Sequence, residues 1–297
     1  MRVAIVGGTG FVGSYLVDAL LEQGHEVSVL VRPGSEDKVR GGEGVRRVTG
    51  DLDSAAALSE LLEGQGAVIY NVGLLREFPR KGITFEAAQY QGVVDTVAAA
   101  QAQKVPRLLL MSAIGVKEGG TKYQSTKRRA ERHALESGLD VTVLRPSVIF
   151  GDPRGTMEFA TQLYRDMIRP PAPAVAFPGV RMSPVAIRDV ADAFVAALGD
   201  PATIGQTIEL AGPEVLEWEE MVRRIAAAVG RKKIVLPMPL GLMRFGATLL
   251  DWLPFYPVTR DQLTMLEEGN TGTPDALQGL IGRPATAFTA DSLRYLS

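Results

Sequence analysis

Cysteine is absent from the chain, and histidine occurs only twice, as His25 and His133. The first absence excludes disulfides, thiol nucleophiles and cysteine-ligated zinc. The second leaves too few imidazoles for a multi-histidine metal site or a histidine-based triad, so no metal is expected. Neither sign of charge dominates: 32 Lys and Arg stand against 34 Asp and Glu, for a net charge of −2. No basic field therefore points to nucleic acid. Also missing is an uninterrupted apolar run of the roughly 20 residues that a membrane-spanning helix needs. The nearest approach, Leu236–Val258, is broken by four prolines, Arg244 and Asp251. With Trp252, Phe255 and Tyr256 it reads first as core of a C-terminal lobe. Its other reading is a contact surface for a protein partner or a membrane. A secretory signal would need a basic segment, an apolar segment and a small-residue cleavage site. The N-terminal residues lack that pattern, and a cytoplasmic location is expected.

What is present is ordinary globular usage, 22% charged and 46% hydrophobic over 297 residues, enough to bury a large core. Through residue 150, short apolar runs alternate with helical periodicity. Strands are predicted at Arg2–Val6, Glu26–Val31, Val45–Thr49, Ala67–Tyr70, Arg107–Met111 and Val141–Leu144. Helices are predicted at Phe11–Gln23, Ser54–Leu62, Thr84–Gln103 and Thr121–Ser137. The strands are continuously apolar rather than alternating, as strands covered on both faces are. This is the pattern of an α/β protein with a Rossmann-type, doubly wound parallel sheet. After Phe150 the texture changes. The proline-rich stretch Arg169–Pro178 reads as a surface loop or linker. Helices at Asp189–Leu198 and Glu217–Val229 flank a strand at Gln206–Leu210. Two parts are expected: 1–150, and a smaller C-terminal lobe, 151–297, interleaved with the first.

Three constellations carry chemistry. Gly7-Gly-Thr-Gly-Phe-Val-Gly13 follows the first strand and opens the first helix. Such a turn lets backbone approach a pyrophosphate and aims helix N-terminal amides at it. Both Gly7/Gly10/Gly13 and Gly8/Gly10/Gly13 fit glycine spacings of this kind; the bland alternative is a tight turn without a ligand. At the end of the second strand, an acid commonly binds the ribose 2′-hydroxyl. Here Arg32 stands there instead, and a guanidinium can pair with a 2′-phosphate. NADP(H) is therefore favoured over NAD(H), with Lys38 as an assistant or a solvated charge. After the third strand, Asp51 could accept from an adenine amino group while Leu52 packs on the ring. Equally, Asp51 or Asp53 could cap the next helix. The third constellation is Tyr123-Gln-Ser-Thr-Lys127, whose ends share a helix face. An ammonium beside a phenol lowers the phenol's pKa, as proton exchange during hydride transfer requires. Ser112, at the end of the fifth strand, could orient a substrate oxygen. The neighbours Arg128, Arg129, Glu131 and Arg132 suggest a solvated face.

In chain order, GGTGFVG, MSAIGV around Ser112, YQSTK and LRPSVIFG (Leu144–Gly151) resemble the short-chain dehydrogenase/reductase superfamily, in its extended and atypical branches. NVGLLRE (Asn71–Glu77), TFEAAQYQGVVDTVAAA and PVAIRDVADAF (Pro184–Phe194) are similar to the group of the 39-kDa accessory subunit of respiratory complex I. The likeness covers nearly the whole chain and is weakest toward the C-terminus. It implies that Gly7, Thr9, Gly10, Phe11, Val12 and Gly13 hold the pyrophosphate, Arg32 the 2′-phosphate, and Asp51 and Leu52 the adenine. Val72, Gly73 and Ser112 would line the nicotinamide side, Lys127 would hold the nicotinamide ribose, and Pro146, Val148 and Ile149 would pass beside the carboxamide. One departure is that only ten residues separate Ser112 from Tyr123, fewer than in sugar-nucleotide epimerases. Two functions follow from the resemblance. One is an oxidoreductase or epimerase-like enzyme using Tyr123, Lys127 and Ser112 on an unknown small substrate. The other is a catalytically silent, cofactor-stabilised assembly or redox-sensing protein.

Overall fold

The structure, a computed structural model, describes residues 1–74, 76–239, 241 and 260–297. Most of the Leu236–Val258 segment thus lies outside the described residues. Strands β1 (Arg2–Val6), β2 (Glu26–Val31), β3 (Val45–Thr49), β4 (Ala67–Tyr70), β5 (Arg107–Met111) and β6 (Asp140–Pro146) are joined by parallel pairings. With β11 (Thr207–Leu210) they form a seven-stranded sheet in the order β11-β6-β5-β4-β1-β2-β3. The chain winds outward one way from β1 through β3, then the other way from β4 through β6. The Rossmann-type α/β fold is therefore established, and the order reverses between β1 and β4, where a crevice opens beyond the strand ends.

The residues explain the elements. β1 and β4 are buried over nearly their whole length, because helices cover both faces. β3 differs in that its successive residues Arg46 and Arg47 are both exposed, as suits an edge strand that must not recruit another chain. Helix α1 (Phe11–Glu22) ends before Gly24, whose φ of +73° only glycine adopts without cost. Helix α2 (Ala55–Leu62) is capped by Ser54, whose Oγ accepts from the Ala57 amide at 3.2 Å. The cap is therefore neither Asp51 nor Asp53. The predicted helix Thr84–Gln103 is two pieces, a π-helical turn at Glu86–Gln91 running into α3 (Gly92–Ala102). Tyr70 packs at the junction: a side chain on Gly92 would collide with its hydroxyl, which itself donates to the Ala88 carbonyl at 2.5 Å. Helix α4 (Lys122–Leu135) opens with a capping box between Thr121 and Gln124.

The chain divides into two compact units, Met1–Arg145 with Val190–Ile208, and Pro146–Asp189 with Glu209–Ser297. Val190–Ile208 is the segment exchanged into the first unit, and β11 follows it into the sheet beside β6. In the second unit, β7 (Ile149–Phe150) pairs with β10 (Val185–Ala186), β9 (Arg181–Met182) with β12 (Leu216–Glu217), and β8 (Ala174–Ala176) with β13 (Val235–Pro237). The stretch Arg169–Pro178, expected to be a loop, thus contributes a strand. Prolines flank β8 rather than interrupt it, and Ala174, Ala176 and Phe177 are core residues with Trp218, Met221 and Phe288. The C-terminal segment is fastened by Asp189, fully buried, which accepts from the Thr286 amide at 2.6 Å and pairs with Arg283 at 2.7 Å. No helix among the described residues is long and apolar enough to cross a membrane.

Arg107 is the polar fastener of the first unit. Although buried, it donates to the Asp140 carbonyl (2.8 Å), Thr142 Oγ1 (2.7 Å), the Ala197 carbonyl (2.7 Å) and Thr203 Oγ1 (3.0 Å). Four acceptors from strand, helix and turn thereby share one guanidinium. Arg107→Met should cost about 2–4 kcal/mol, because it strands several buried acceptors at once. Urea unfolding measures this; a loss below about 0.5 kcal/mol, the range of ordinary surface changes, would show that water replaces the guanidinium.

Candidate functional site

At the β1/β4 reversal lies a cavity of about 490 Å³. Gly7, Thr9 and Gly10 border it from the glycine turn, Arg32 from the end of β2, and Gly50, Asp51, Leu52 and Asp53 from the end of β3. Asn71, Val72, Gly73 and Leu74 border it after β4, and Ile83, Thr84, Ala87, Ala88, Gln91 and Asp95 from the segment entering α3. Eight residues expected to bind a dinucleotide are thus brought to one cavity: Gly7, Thr9, Gly10, Arg32, Asp51, Leu52, Val72 and Gly73. Phe11, Val12 and Gly13 form the first turn of α1 behind it, and Lys38 is not among its lining residues.

The glycines separate by role. Gly7 has φ +95°, and a Cβ there would stand 2.7 Å from the Asn71 carbonyl oxygen. Gly13 is packed on the Gly7 carbonyl, and Gly8 backs onto Val29. These three are required by packing. Gly10 is not, since its Cβ would meet nothing closer than the Gly7 oxygen at 3.6 Å. It caps α1 without any side-chain hydrogen bond, so the space before the first-turn amides stays open. That is the shape an incoming phosphate requires. The residues present therefore fit a dinucleotide.

The second cluster sits on α4. Tyr123 and Lys127 are buried on one face, at 9% and 5% exposure. The Lys127 ammonium donates to the Met111 carbonyl at 3.1 Å and lies 5.9 Å from the Tyr123 ring centroid. Phe85 meets that ring edge-on at 5.7 Å. Ser112 follows Met111, is buried, and its Oγ has no hydrogen-bond partner among the described residues. A buried hydroxyl left unsatisfied is costly unless something else completes it. Ser112 and Lys127 are tied through Met111, and Lys127 to Tyr123 through the helix.

Burial governs the electrostatics here. It pushes the Tyr123 phenol well above its ordinary value, opposite to the lowering expected from a neighbouring ammonium. Desolvation of the uncompensated phenolate outweighs attraction to a lysine that is itself poorly solvated. Burial lowers the Lys127 ammonium to about 8, against the pull of Glu131. The face read as solvated is only partly so. Glu131 is fully buried, one turn beyond Lys127, and accepts from Arg145 at 2.7 and 2.6 Å and from Arg128 at 3.2 Å. Arg129, by contrast, is exposed, pairs with Glu86 and lies over the Tyr90 ring at 3.8 Å. Spacing gave a signal for Glu131, since i+4 from Lys127 continues the buried face, but its charge masked that signal. Nothing in the sequence pointed to the α3 wall of the cavity, whose shape depends on the π-helical turn.

Pro146, Val148 and Ile149 belong to the second unit. There Val148 packs against the core and Ile149 pairs with Val185.

The reversal crevice, the glycine turn and the buried Tyr/Lys helix define a dinucleotide-binding α/β protein of the short-chain dehydrogenase/reductase type. The chain belongs to the family described as NAD(P)H-binding, whose model matches residues 7–201. It is 28% identical to a ceramide reductase of Caulobacter vibrioides over 84% of this chain and 78% of that one. To the NADH dehydrogenase [ubiquinone] 1 alpha subcomplex subunit 9 of Mus musculus it is 26% identical, over 98% and 78%. A solved nucleoside-diphosphate-sugar epimerase from Pseudomonas aeruginosa shares the fold, with a TM-score of 0.76 at 19% identity over 99% and 95% of the two chains.

The lowered Lys127 pKa has a measurable consequence. Its folded value lies near 8 and its ordinary value at 10.5. Between them the unfolded chain binds more protons at this site. Its contribution to stability therefore rises with pH across that window and is constant below it. NMR of isotopically dimethylated lysines should show one amine titrating near pH 8 that is missing in Lys127→Met. A Lys127 titration above pH 10 would show that solvent reaches the ammonium.

Proposed function

We propose that the chain is an NADP(H)-dependent oxidoreductase acting on a carbonyl or alcohol, with an epimerase-like hydride exchange as the related chemistry. The observation that carries this reading is the buried Tyr123/Lys127 face beside the unsatisfied Ser112 hydroxyl. The dinucleotide supplies or accepts the hydride. The chain's own residues handle binding and the proton. Amides at the start of α1 and the open space at Gly10 hold the pyrophosphate, and Lys127 donates to the nicotinamide ribose. Ser112 Oγ orients the substrate oxygen, and Tyr123 Oη gives or takes its proton. Tyr123 is protonated at neutral pH, the form that donates to a carbonyl being reduced, and burial makes it a weak acid unless the phenolate is stabilised as it forms. A cationic Lys127 then stabilises the phenolate left after transfer.

Preference for the 2′-phosphate rests on Arg32, which borders the cavity at the end of β2 where an acid would repel that group. The relatives named as reductases support turnover, whereas those named as NADH dehydrogenase subunits support a role within an assembly.

Two measurements test these assignments. Arg32→Ala should weaken NADPH binding by about tenfold or more while leaving NADH within about twofold, read by calorimetry. Equal losses for both cofactors would remove Arg32 as the phosphate reader. Tyr123→Phe should lower turnover of any carbonyl reduced by the wild type by about 10²–10⁴-fold while NADPH still binds. Unchanged turnover would eliminate the tyrosine mechanism. Binding without turnover across a broad carbonyl panel would favour the assembly or sensing role.

A further inference from the structure

The second unit carries a groove of its own, about 300 Å³ in volume. The proline-rich residues after Ile168 form one side of it, and Arg231, Lys232, Lys233 and Ile234 the other. Its described lining residues include three cations and no carboxylate. Local structure holds two of those cations in place. The π-helical segment Tyr164–Ile168 runs into prolines, so its last carbonyls need donors from elsewhere. Arg231 Nη1 donates to the carbonyls of Ile168 (3.4 Å) and Arg169 (3.0 Å), and Lys233 Nζ to those of Ile168 (3.2 Å) and Pro170. Carbonyls are neutral, so these bonds fix the charges without cancelling them. Elsewhere in the unit Arg165, Arg224, Arg283 and Arg294 each meet a carboxylate at 2.7 Å. Among the described residues no carboxylate pairs with Arg231, Lys232 or Lys233. In a chain of net charge −2, this is a local concentration of positive charge.

The same segment leads into an apolar ridge. Side chains alternate across a strand, and along β13 Val235 packs against the core of the unit while Ile234 and Leu236 face away, 69% and 52% exposed. Two branched aliphatic side chains two residues apart, rimmed by cations, form a patch of the kind that marks an interaction site. Cations alone would suit any polyanion, and aliphatics alone any apolar surface. An anionic bilayer offers both together, with phosphates lying directly above acyl chains. A nucleic acid would leave the two aliphatics in water, and residues 231–236 include no aromatic ring on which bases could stack. We propose that residues 231–236 are a docking surface for an anionic membrane, with the three cations among the headgroups and Ile234 and Leu236 at the acyl boundary. So small an apolar ridge makes the contact peripheral and reversible. It is independent of the cofactor reading above.

The test is flotation of the purified full chain with vesicles of phosphatidylcholine alone and of equimolar phosphatidylcholine and phosphatidylglycerol, with thermal melts to confirm that each variant is folded. At low ionic strength the wild type should bind the mixed vesicles at least about tenfold more tightly than the neutral ones, and added salt should shrink that difference. Lys232 is exposed and takes no part in the carbonyl bonds, so Lys232→Glu should cost about tenfold in affinity without disturbing the groove. Ile234→Ser combined with Leu236→Ser should also weaken binding by about tenfold, with the salt dependence retained. Lys104→Glu, the same change of net charge at an exposed position in the first unit, should stay within about twofold of the wild type. Binding to neither vesicle, equal binding to both, or an equal loss in Lys104→Glu would overturn the inference. Retention on heparin without vesicle binding would assign the cations to a soluble polyanion instead. A dimer dispersed by the double serine change, again without vesicle binding, would make the ridge a self-contact.

Discussion

A Cβ on Gly7 would stand 2.7 Å from the Asn71 carbonyl oxygen, and one on Gly13 would drive into the Gly7 carbonyl. These approaches fix the start of α1 against the ends of β1 and β4. The sheet reverses its order between those two strands, so the first-turn amides of α1 face the crevice left by the reversal. Any side chain at Gly7 or Gly13 would lift the helix away and dissolve the cavity's floor. Gly10 differs in kind, since packing tolerates a Cβ there and only an approaching ligand would not. Within one motif, three glycines are required by packing and Gly10 keeps the space before the first-turn amides open.

Burial imposes a comparable constraint on α4. Tyr123, Lys127 and Glu131 lie at successive turns of one buried face. An ammonium and a carboxylate removed from water each lose several kcal/mol of solvation, and mutual proximity restores only part of it. Glu131 is compensated directly by Arg145 and Arg128. Lys127 has the Met111 carbonyl, and its pKa falls accordingly. The ammonium that would support a phenolate is thus left under-satisfied, as is the Ser112 hydroxyl. Stability arguments alone would have removed both groups. Their persistence makes sense if further acceptors and donors arrive with bound molecules, when the same desolvation strengthens each contact.

Much of this was legible in the sequence because it depends on local chain geometry. Continuous apolar runs disclosed a sheet covered on both faces, and the strand–glycine–helix order disclosed the crevice. The residues at strand ends, Arg32, Asp51 and Leu52, could be placed because a parallel sheet sends every such end to the same edge, whereas Val72 and Gly73 followed from the family resemblance. Other features were hidden because they arise from contacts distant in sequence. The π-helical turn packs on Tyr70 through Gly92 and Ala88, residues distant from it in sequence. Strand β8 exists because β13 pairs with it, in a stretch whose prolines argue for a loop. Glu131 is buried because Arg145, on another element, neutralises it. The sign of the Tyr123 shift escaped for the same reason, since one-turn proximity to a lysine is visible in a sequence and the solvent excluded from both is not.

Specificity at the cavity must come from contact rather than from field. Asp51, Asp53 and Asp95 line it alongside Arg32, so the carboxylates outnumber the guanidinium and its net potential does not by itself invite an anion. Arg32 is exposed, and at ordinary ionic strength exposed charges are screened over about 10 Å. Long-range attraction therefore contributes little selectivity between a ribose hydroxyl and a ribose phosphate. A forked guanidinium would contribute only on touching phosphate oxygens, because hydrogen bonds at contact distance to a charged acceptor survive screening. A cavity of mixed charge can thus separate cofactors that differ by a few atoms, provided each difference falls against a side chain already held in place.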